Sequence, residues 1–173
     1  MKTEYKSKQL SAAGFRFCIV VSRWNEKLTT KLADAAVEIL YESGAAPESI
    51  VIRHVPGSFE LPVACLKAAQ TRDFDAVIAL GVVIRGDTPH FDYVAGQTAS
   101  GIMQASLQTG IPILFGVITA DNIKQATARA GEKSDNKGYE AARAAVEMVN
   151  LFREMSISNN QGGSDERVLP HVV

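Results

Sequence analysis

The amino-acid sequence predicts an α/β protein in which helices cover both faces of a parallel sheet. Segments of β-rich apolar composition alternate with segments of helical spacing along the chain, as expected for repeated strand–helix units. The strand segments are apolar without a polar alternation, which is typical of strands buried on both faces. A length of 173 residues, with no linker and no repeat of fixed period, fits one domain with a full core.

Two strand–helix units account for the first half of the chain. They are predicted as strand 15–21, helix 26–44, strand 49–55 and helix 57–73. The first helix carries its apolar residues on one stripe and meets a C-terminal stop at Gly44. The second helix is predicted to begin near Ser58, since Pro62 is tolerated in a first turn.

The second half of the chain continues the alternation and ends in two helices. The predicted elements are strand 75–84, helix 91–110, strand 112–118, a short helix 120–131 and a long helix 136–155. The segments at the two ends of the chain are polar. We therefore expect an N-terminal arm over residues 1–13, the folded domain over 14–155 and a flexible C-terminal tail over 156–173.

Charge, cysteine content and hydropathy argue against several classes of protein. The net charge of -1 implies no general attraction to nucleic acid or to an anionic membrane. Cys18 and Cys65 lie in apolar segments and predict buried thiols rather than a disulfide. No apolar run is long enough to span a bilayer, and the first residues lack the apolar stretch of a signal peptide. We therefore expect a cytoplasmic protein that binds neither nucleic acid nor membrane.

The loops that follow the predicted strands contain most of the residues suited to chemistry. Ligands of parallel α/β sheets bind beyond the carboxyl ends of the strands. The loops there read SRWNE (22–26), PGSFE (56–60), RGDTPH (85–90) and TADN (119–122). They concentrate aromatic, glycine, hydroxyl and charged residues at one edge of the sheet, which predicts a binding site at that edge.

The first two loops each have a structural interpretation beside a functional one. Trp24, the only tryptophan, is by itself typical of a packing residue, but beside Asn25 in a strand-end loop it is suited to stack on a flat heterocycle. One interpretation of PGSFE is a turn in which Ser58 caps the next helix. The other is a helix start whose free N–H groups and Glu60 receive polar ligand atoms.

The later loops also leave alternatives open. Gly86 and Thr88 suit a tight, donor-rich loop for an anion, although the Gly-Lys-Ser/Thr of a P-loop is missing. His90 either caps the next helix or transfers protons. Arg129 and Lys133 are either a solvated charge cluster or a phosphate site. No Cys/His spacing supports a metal site, and the motifs of hydrolase elbows and dinucleotide-binding turns are missing.

Five segments, taken in this order, resemble the lumazine synthase family. They are SRWNE, VPGSFELP, DAVIALGVVIRGDTPHFDYV, IPILFGVIT and RAGEKSDNKGYEAA, and the resemblance covers about residues 14–155. It implies a flavodoxin-like fold, a three-layer α/β/α sandwich around a four-stranded parallel sheet. It also implies the penultimate step of riboflavin biosynthesis. In that reaction 5-amino-6-ribitylaminouracil condenses with 3,4-dihydroxy-2-butanone 4-phosphate, without a cofactor, to 6,7-dimethyl-8-ribityllumazine, phosphate and water.

The resemblance also implies a role for individual positions. Trp24 occupies the position, usually phenylalanine, that stacks on the pyrimidine, and His90 shuttles protons. The residues implied to line the heterocycle and the ribityl chain are Asn25, Ser58, Phe59, Glu60, Val82, Val83 and Ile84. Those implied to bind phosphate are Gly86, Asp87, Thr88 and Arg129. Phe115 and Lys133 are implied to complete the pyrimidine pocket and, like Arg129, to come from the adjacent subunit.

The sequence departs from the family pattern at three positions, 24, 58 and 128. Trp24 enlarges the stacking face and would favour bound flavins, while Ser58 stands where alanine is common. Ala128 replaces a carboxylate that often precedes the arginine at 129, so the surroundings of Arg129 are expected to differ.

The assembly implied by the resemblance is a homopentamer. Family members that stop at pentamers can carry extra residues between the last two helices, and RAGEKSDNKG has none, which favours a hollow shell of sixty subunits. Association with riboflavin synthase is a further implied partnership. The alternatives are a non-catalytic flavin or lumazine binder and a shell protein without chemistry. Both are expected to lack an intact pair of His90 and Arg129, and this chain has both residues.

Overall fold

Four parallel strands form a single sheet in the computed structural model, which describes residues 10–161. The strands are β1 (Phe17–Ser22), β2 (Ile50–Val55), β3 (Ala76–Ile84) and β4 (Ile113–Ala120). Their spatial order is β2-β1-β3-β4, and each neighbouring pair is parallel. The predicted four-stranded parallel sheet is confirmed, and β1 and β3 are its two central strands.

Helices pack on both faces of this sheet. They are α1 (Glu26–Glu42), α2 (Leu61–Gln70), α3 (His90–Thr109), α4 (Ile123–Ala128) and α5 (Lys137–Gln161). The α1 and α5 helices pack together on one face, and α2 and α3 pack together on the other. The predicted three-layer α/β/α sandwich is therefore confirmed. Within residues 10–161, no helix combines the length and the apolar character needed to cross a membrane.

The alternation of side chains along β1 divides the core into two halves. Phe17, Ile19 and Val21 belong to the buried cluster beneath α1 and α5, whereas Cys18 and Val20 belong to the cluster beneath α2 and α3. Successive side chains of a strand point to opposite faces, so an unbroken apolar strand supplies both clusters. This is the physical reason why the apolar runs in the sequence predicted a doubly covered sheet.

Both cysteines are free and buried, as predicted. They lie in the cluster beneath α2 and α3, where they serve as small apolar side chains. Burial raises the pKa of the Cys18 thiol to about 11, and the charge of Arg53 opposes this shift. Burial also raises the pKa of Cys65. Neither thiol is therefore activated as a nucleophile.

Several predicted boundaries differ from the structure. The short helix predicted over 120–131 spans only Ile123–Ala128, and the helix predicted over 57–73 ends at Gln70. The second helix begins at Leu61, because residues Ser58–Glu60 form a separate 3-10 turn whose N-terminal cap position is Gly57. The capping interpretation of Ser58 was therefore wrong. The last helix runs to Gln161, six residues into the segment predicted as a tail. Residues 1–9 of the predicted arm and 162–173 of the predicted tail lie outside the described residues.

Candidate functional site

A cleft of about 250 Å³ opens at the carboxyl ends of β1 and β3. Its walls come from the loops after β1, β2 and β3 and from the first turns of α3, which is the edge that the sequence predicted for a site. The lining residues are Trp24, Asn25, Ser58, Val82, Val83, Ile84, Gly86, Thr88, His90, Phe91 and Val94. We call this the first cleft. It brings together Trp24, the residue expected to stack, the loop residues Gly86 and Thr88, expected to bind an anion, and His90.

Asn25 connects the loop after β1 to the end of β3. Its backbone adopts the left-handed conformation, with φ at 61°, which asparagine tolerates better than most residues. Its Nδ2 donates to the carbonyl of Val82 at 3.1 Å. The amide side chain therefore fixes the position of Trp24, its neighbour in sequence, relative to the floor of the cleft.

The Trp24 indole lies at the mouth of the first cleft with 64% of its surface exposed. The backbone N–H of Trp24 donates to the carbonyl of Pro56 at 3.1 Å, which fixes the chain beneath the ring. A large exposed aromatic ring on a fixed backbone is suited to stack on a planar ligand. The alternative of a partly buried packing residue accounts only for the part of the ring that rests on the turn at Gly57.

The turn after β2 has two of its backbone groups held by side chains. A carboxylate oxygen of Glu60 accepts from the N–H of Gly57 at 2.8 Å, and the Thr98 hydroxyl donates to the carbonyl of Ser58 at 3.1 Å. Ser58 is 4% exposed and lines the first cleft, whereas Phe59 is 55% exposed. Neither Phe59 nor Glu60 lines the first cleft, so the structure of the single chain does not bring them to the other expected ligand-binding residues.

The loop between β3 and α3, which the sequence predicts to bind an anion, brings two of its residues to the first cleft. Gly86 and Thr88 line the first cleft, whereas Asp87 does not. His90 is the first residue of α3, and its N–H approaches the Thr88 hydroxyl at 3.4 Å. The His90 side chain is exposed at the cleft, so its imidazole can exchange protons with a bound ligand.

Arg85 connects the three segments that surround this loop, a role that the sequence did not predict. Its guanidinium donates to both carboxylate oxygens of Asp92 in α3, at 2.9 and 3.2 Å, and to Asp121 after β4 at 3.1 Å. It also lies over the ring of Phe91, 4.2 Å from the centroid. The hydrogen bonds to Asp92 and then Asp121 raise the pKa of Arg85, and the bond to Arg85 lowers the pKa of Asp92. Because Phe91 lines the first cleft, Arg85 positions one of its walls.

A second cleft of about 530 Å³ lies along the edge strand β4. Its lining includes Phe115, Arg129 and Lys137. Arg129 follows the last residue of α4, and its carbonyl accepts from the N–H of Lys137 at 3.0 Å. The end of α4 and the start of α5 are thereby held together, with Arg129 and Lys137 in the lining beside Phe115. The ammonium group of Lys137 pairs with the carboxylate of Glu140, which also lines this cleft.

Lys133 does not line the second cleft with Phe115 and Arg129, and its side chain lies against α1 instead. Its ammonium group pairs with Glu42 at 3.4 Å and with Glu38 at 4.0 Å, both on α1. The charge of Glu42 raises the pKa of Lys133, followed by its hydrogen bond and the charge of Glu38. Within one chain, the lysine in the cleft with Phe115 and Arg129 is Lys137, which sequence reasoning missed. The available signal was the second lysine of the segment EKSDNKG.

His90 and Arg129 therefore line separate clefts, and the two linings have no residue in common. The first cleft has an exposed indole, the loop residues Gly86 and Thr88, and an imidazole. The second has a phenylalanine, an arginine and a lysine. Among residues 10–161, no group of three or more histidine, cysteine, aspartate or glutamate side chains is placed to hold a metal ion.

Comparison with known proteins gives one consistent result. Residues 14–153 match the family model described as 6,7-dimethyl-8-ribityllumazine synthase. A protein of that name from Chlorobium chlorochromatii is 52% identical over 155 residues, which cover 90% of this chain and all of that protein. Proteins of the same name from Chlorobium luteolum and Clostridium kluyveri are each 51% identical, over 84% and 87% of this chain and over 94% and 97% of their own lengths. With the α/β/α fold and the strand-end cleft, these matches show that the chain belongs to the 6,7-dimethyl-8-ribityllumazine synthase family.

Proposed function

We propose that this chain condenses 5-amino-6-ribitylaminouracil with 3,4-dihydroxy-2-butanone 4-phosphate in the first cleft. The reaction gives 6,7-dimethyl-8-ribityllumazine and releases phosphate and water. Membership of the family supports the reaction itself. The observation that supports its location is the first cleft, where an exposed indole, an anion loop and an imidazole lie together.

The pyrimidine substrate stacks on Trp24 in this proposal. The ring is planar and the indole is large, exposed and held on a fixed backbone. The polar edge of the ring faces Ser58 and the backbone of residues 82–84, which form the floor of the same cleft. Stacking and edge contacts together fix the ring, which leaves the ring amine in place to attack the ketone.

The phosphate of the second substrate binds the loop of Gly86 and Thr88. Exposed N–H groups of a tight loop and a hydroxyl are suited to an anion. This places the butanone next to His90 at the start of α3. The imidazole then moves protons while the amine adds to the ketone, water leaves and phosphate is eliminated. Since the nucleophile is the amine of the substrate, the protein supplies positioning and proton transfer.

The second cleft completes the site from a neighbouring subunit. Arg129 provides a permanent charge for the phosphate, because an arginine side chain stays protonated and can donate two hydrogen bonds at once. Phe115 covers the ring, and Lys137 lies beside them. The division of the expected groups between two clefts of one chain supports this arrangement, since neither cleft has all of them.

The assembly in this proposal is a homopentamer. The α3 helix exposes Tyr93, Met103 and Leu107 at 69, 61 and 76%. Large apolar side chains at such exposure on one helix favour burial against another protein surface. A shell of sixty subunits, association with riboflavin synthase, and a cytoplasmic location stay predictions from the sequence.

A rate measurement with the two substrates, followed by the absorbance of the lumazine product, tests the function. We expect turnover and, by light scattering, a particle mass of five or sixty chains. Product binding without turnover would instead support the alternative of a non-catalytic binder on the same scaffold. A monomer that turns over at full rate would contradict the shared site and leave the reaction intact.

A further inference from the structure

Arg85 connects the two ends of the loop between β3 and α3. The backbone N–H of Arg85 donates to the carbonyl of Ala120 at 2.9 Å, which fixes the start of the loop to β4. The guanidinium reaches Asp92, seven residues later in the first turn of α3, and donates to both of its carboxylate oxygens at 2.9 and 3.2 Å. Residues 86–91 therefore lie between two points that one side chain joins.

Two further contacts hold the guanidinium itself. Its Nε donates to Asp121, after β4, at 3.1 Å, and its central carbon lies over the ring of Phe91, 4.2 Å from the centroid. The hydrogen bonds to Asp92 and Asp121 engage three of the five N–H donors of an arginine. A guanidinium held in this way has a fixed orientation, because it is planar and its donors point in fixed directions.

Among the described residues, little else packs against this loop. Residues 85–90 are all exposed, and a Cβ atom built on Gly86 would meet nothing within 4 Å. The N–H of His90 approaches the Thr88 hydroxyl at 3.4 Å, which is long for a hydrogen bond. Segments with few packing contacts open easily, so the shape of this loop depends on how its ends are held.

The Arg85 contacts contribute more to geometry than to stability. The side chains of Arg85, Asp92 and Asp121 are 41, 60 and 65% exposed. Ion pairs at such exposure add little to the free energy of unfolding, because water screens the charges and two side chains lose freedom. A bidentate pair still fixes direction. The direction fixed here is that of the first turn of α3 relative to the end of β3, and both segments line the first cleft.

We propose that Arg85 is a positioning residue for the butanone phosphate. Its pair with Asp92 keeps Gly86 and Thr88 in the arrangement that receives the phosphate group. The same pair keeps His90 beside the bound substrate. Arg85 does not line the first cleft, so it acts through the loop. A loop that is ordered in advance loses less freedom when the phosphate binds, which strengthens binding. This inference rests on the proposed function, which assigns the phosphate to this loop.

A purely electrostatic role of Arg85 predicts different results from a role in holding the loop. If its positive charge attracted the phosphate through space, Arg85→Lys would preserve binding, and Asp92→Asn would strengthen it by removing a negative charge. If Arg85 holds the loop, Arg85→Lys weakens binding because the bidentate geometry is lost. Asp92→Asn then also weakens binding, because the pair loses its charge-assisted hydrogen bonds. The sign of the Asp92→Asn effect separates the two roles.

The test measures the KM for each substrate in the full-length wild type, Arg85→Ala, Arg85→Lys, Asp92→Asn and the double variant Arg85→Ala/Asp92→Asn. We expect each variant to raise the KM for the butanone phosphate about tenfold and to leave the KM for the pyrimidine unchanged. The kcat should fall less, because bound substrate itself orders the loop. The double variant should match Arg85→Ala, since both changes break the same pair.

Calorimetric titration of inorganic phosphate gives a second readout that needs no turnover. It should show the same loss of affinity, about tenfold, in each variant. The denaturation midpoints should stay close to that of the wild type, because the broken pairs are exposed.

Arg143→Ala is the matched control. Arg143 pairs with Glu147 on α5 at 3.4 Å, both side chains are exposed, and Arg143 lines neither cleft. This variant removes the same charge and one exposed ion pair, and it should leave both KM values and phosphate binding unchanged.

Three results would overturn the inference. They are a wild-type KM for the butanone phosphate in Arg85→Lys, a lower KM in Asp92→Asn, and an equal rise in KM for both substrates in Arg85→Ala. A wild type without turnover, in which Arg85→Ala still weakens phosphate binding, would contradict the proposed function and support the role of Arg85 in holding the loop.

Discussion

The Trp24 indole lies directly against the backbone of Gly57. A Cβ atom at position 57 would be 2.5 Å from Cε3 and 2.6 Å from Cζ3 of the ring. The glycine therefore allows the aromatic ring to rest on the turn after β2, with its remaining surface open at the first cleft. The orientation of the Trp24 ring therefore depends on the absence of a side chain at Gly57, on a different loop.

Gly57→Ala is therefore expected to displace the indole and weaken binding of the lumazine product. The effect should approach that of Trp24→Ala, which on the scale of base stacking, about 1–3 kcal/mol, is a loss of roughly one to two orders of magnitude in affinity. Quenching of Trp24 fluorescence on titration measures both the contact and the affinity in the wild type and in Gly57→Ala. Equal product affinity in wild type, Gly57→Ala and Trp24→Ala would show that the ring does not stack on the ligand.

His90→Ala is expected to slow turnover while product binding stays close to that of the wild type. The loss should be about 100-fold, at the lower end for acid–base groups, since the amine and ketone are reactive once they are positioned. Single-turnover rates at saturating substrate, together with product titration, separate the two effects. An unchanged rate at saturation would remove His90 from the mechanism.

Arg129→Ala is expected to raise the KM for the butanone phosphate about ten- to a hundredfold, because a charge-assisted contact to phosphate is lost.

The two lysines near the α4–α5 junction should differ in their effect on the reaction. Lys137→Ala should also impair the reaction, since Lys137 lines the cleft with Arg129 and Phe115. Lys133→Ala is the comparison, because Lys133 pairs with Glu42 outside that cleft.

Steady-state kinetics with each substrate varied in turn measure these three variants. A larger effect of Lys133→Ala than of Lys137→Ala would favour the role that the sequence resemblance implied for Lys133.

Mixed rings test whether His90 and Arg129 act from different subunits. His90→Ala and Arg129→Ala chains, each of low activity at low substrate, are unfolded together and refolded in equal amounts. In a cyclic head-to-tail ring, about a quarter of the sites should then combine an intact His90 with an intact Arg129. Activity should exceed that of either parent at low substrate. Mass spectrometry confirms the mixing, and activity no higher than the average of the parents would exclude a shared site.

The raised pKa of Cys18 predicts how the free energy of unfolding depends on pH. Its folded pKa is about 11, against an ordinary value of 9.0, because burial disfavours the thiolate. The unfolded chain therefore loses its proton first as the pH rises, so the free energy of unfolding is full below about pH 9 and falls between about pH 9 and 11. The loss from this group should be about 2 kcal/mol at pH 10.5. Denaturant unfolding of wild type and Cys18→Ala at pH 8 and 10.5 measures it. The same pH dependence in both proteins would contradict the assignment to Cys18.

The sequence by itself determined the layers of the fold and the edge of the sheet where the first cleft lies. Uninterrupted apolar strands such as Ala76–Ile84 must be buried on both faces, and parallel strands must be joined by crossovers. The polar residues that follow each strand therefore collect at one edge. These inferences use only neighbours in sequence and the alternation of a strand, so they need no knowledge of distant contacts.

Only the tertiary structure decided how the expected ligand-binding residues are divided between the first and the second cleft. Ser58 loses its capping role because Gly57 takes that position, and Thr98, forty residues away, binds the Ser58 carbonyl. Lys137, and not Lys133, joins Arg129 because a 3-10 turn over Lys133–Asp135 and a bridge between Ala130 and Asn136 reverse the chain between them. A side chain's direction in such a turn depends on the partners that the fold brings to it. Residue type and spacing do not record those partners.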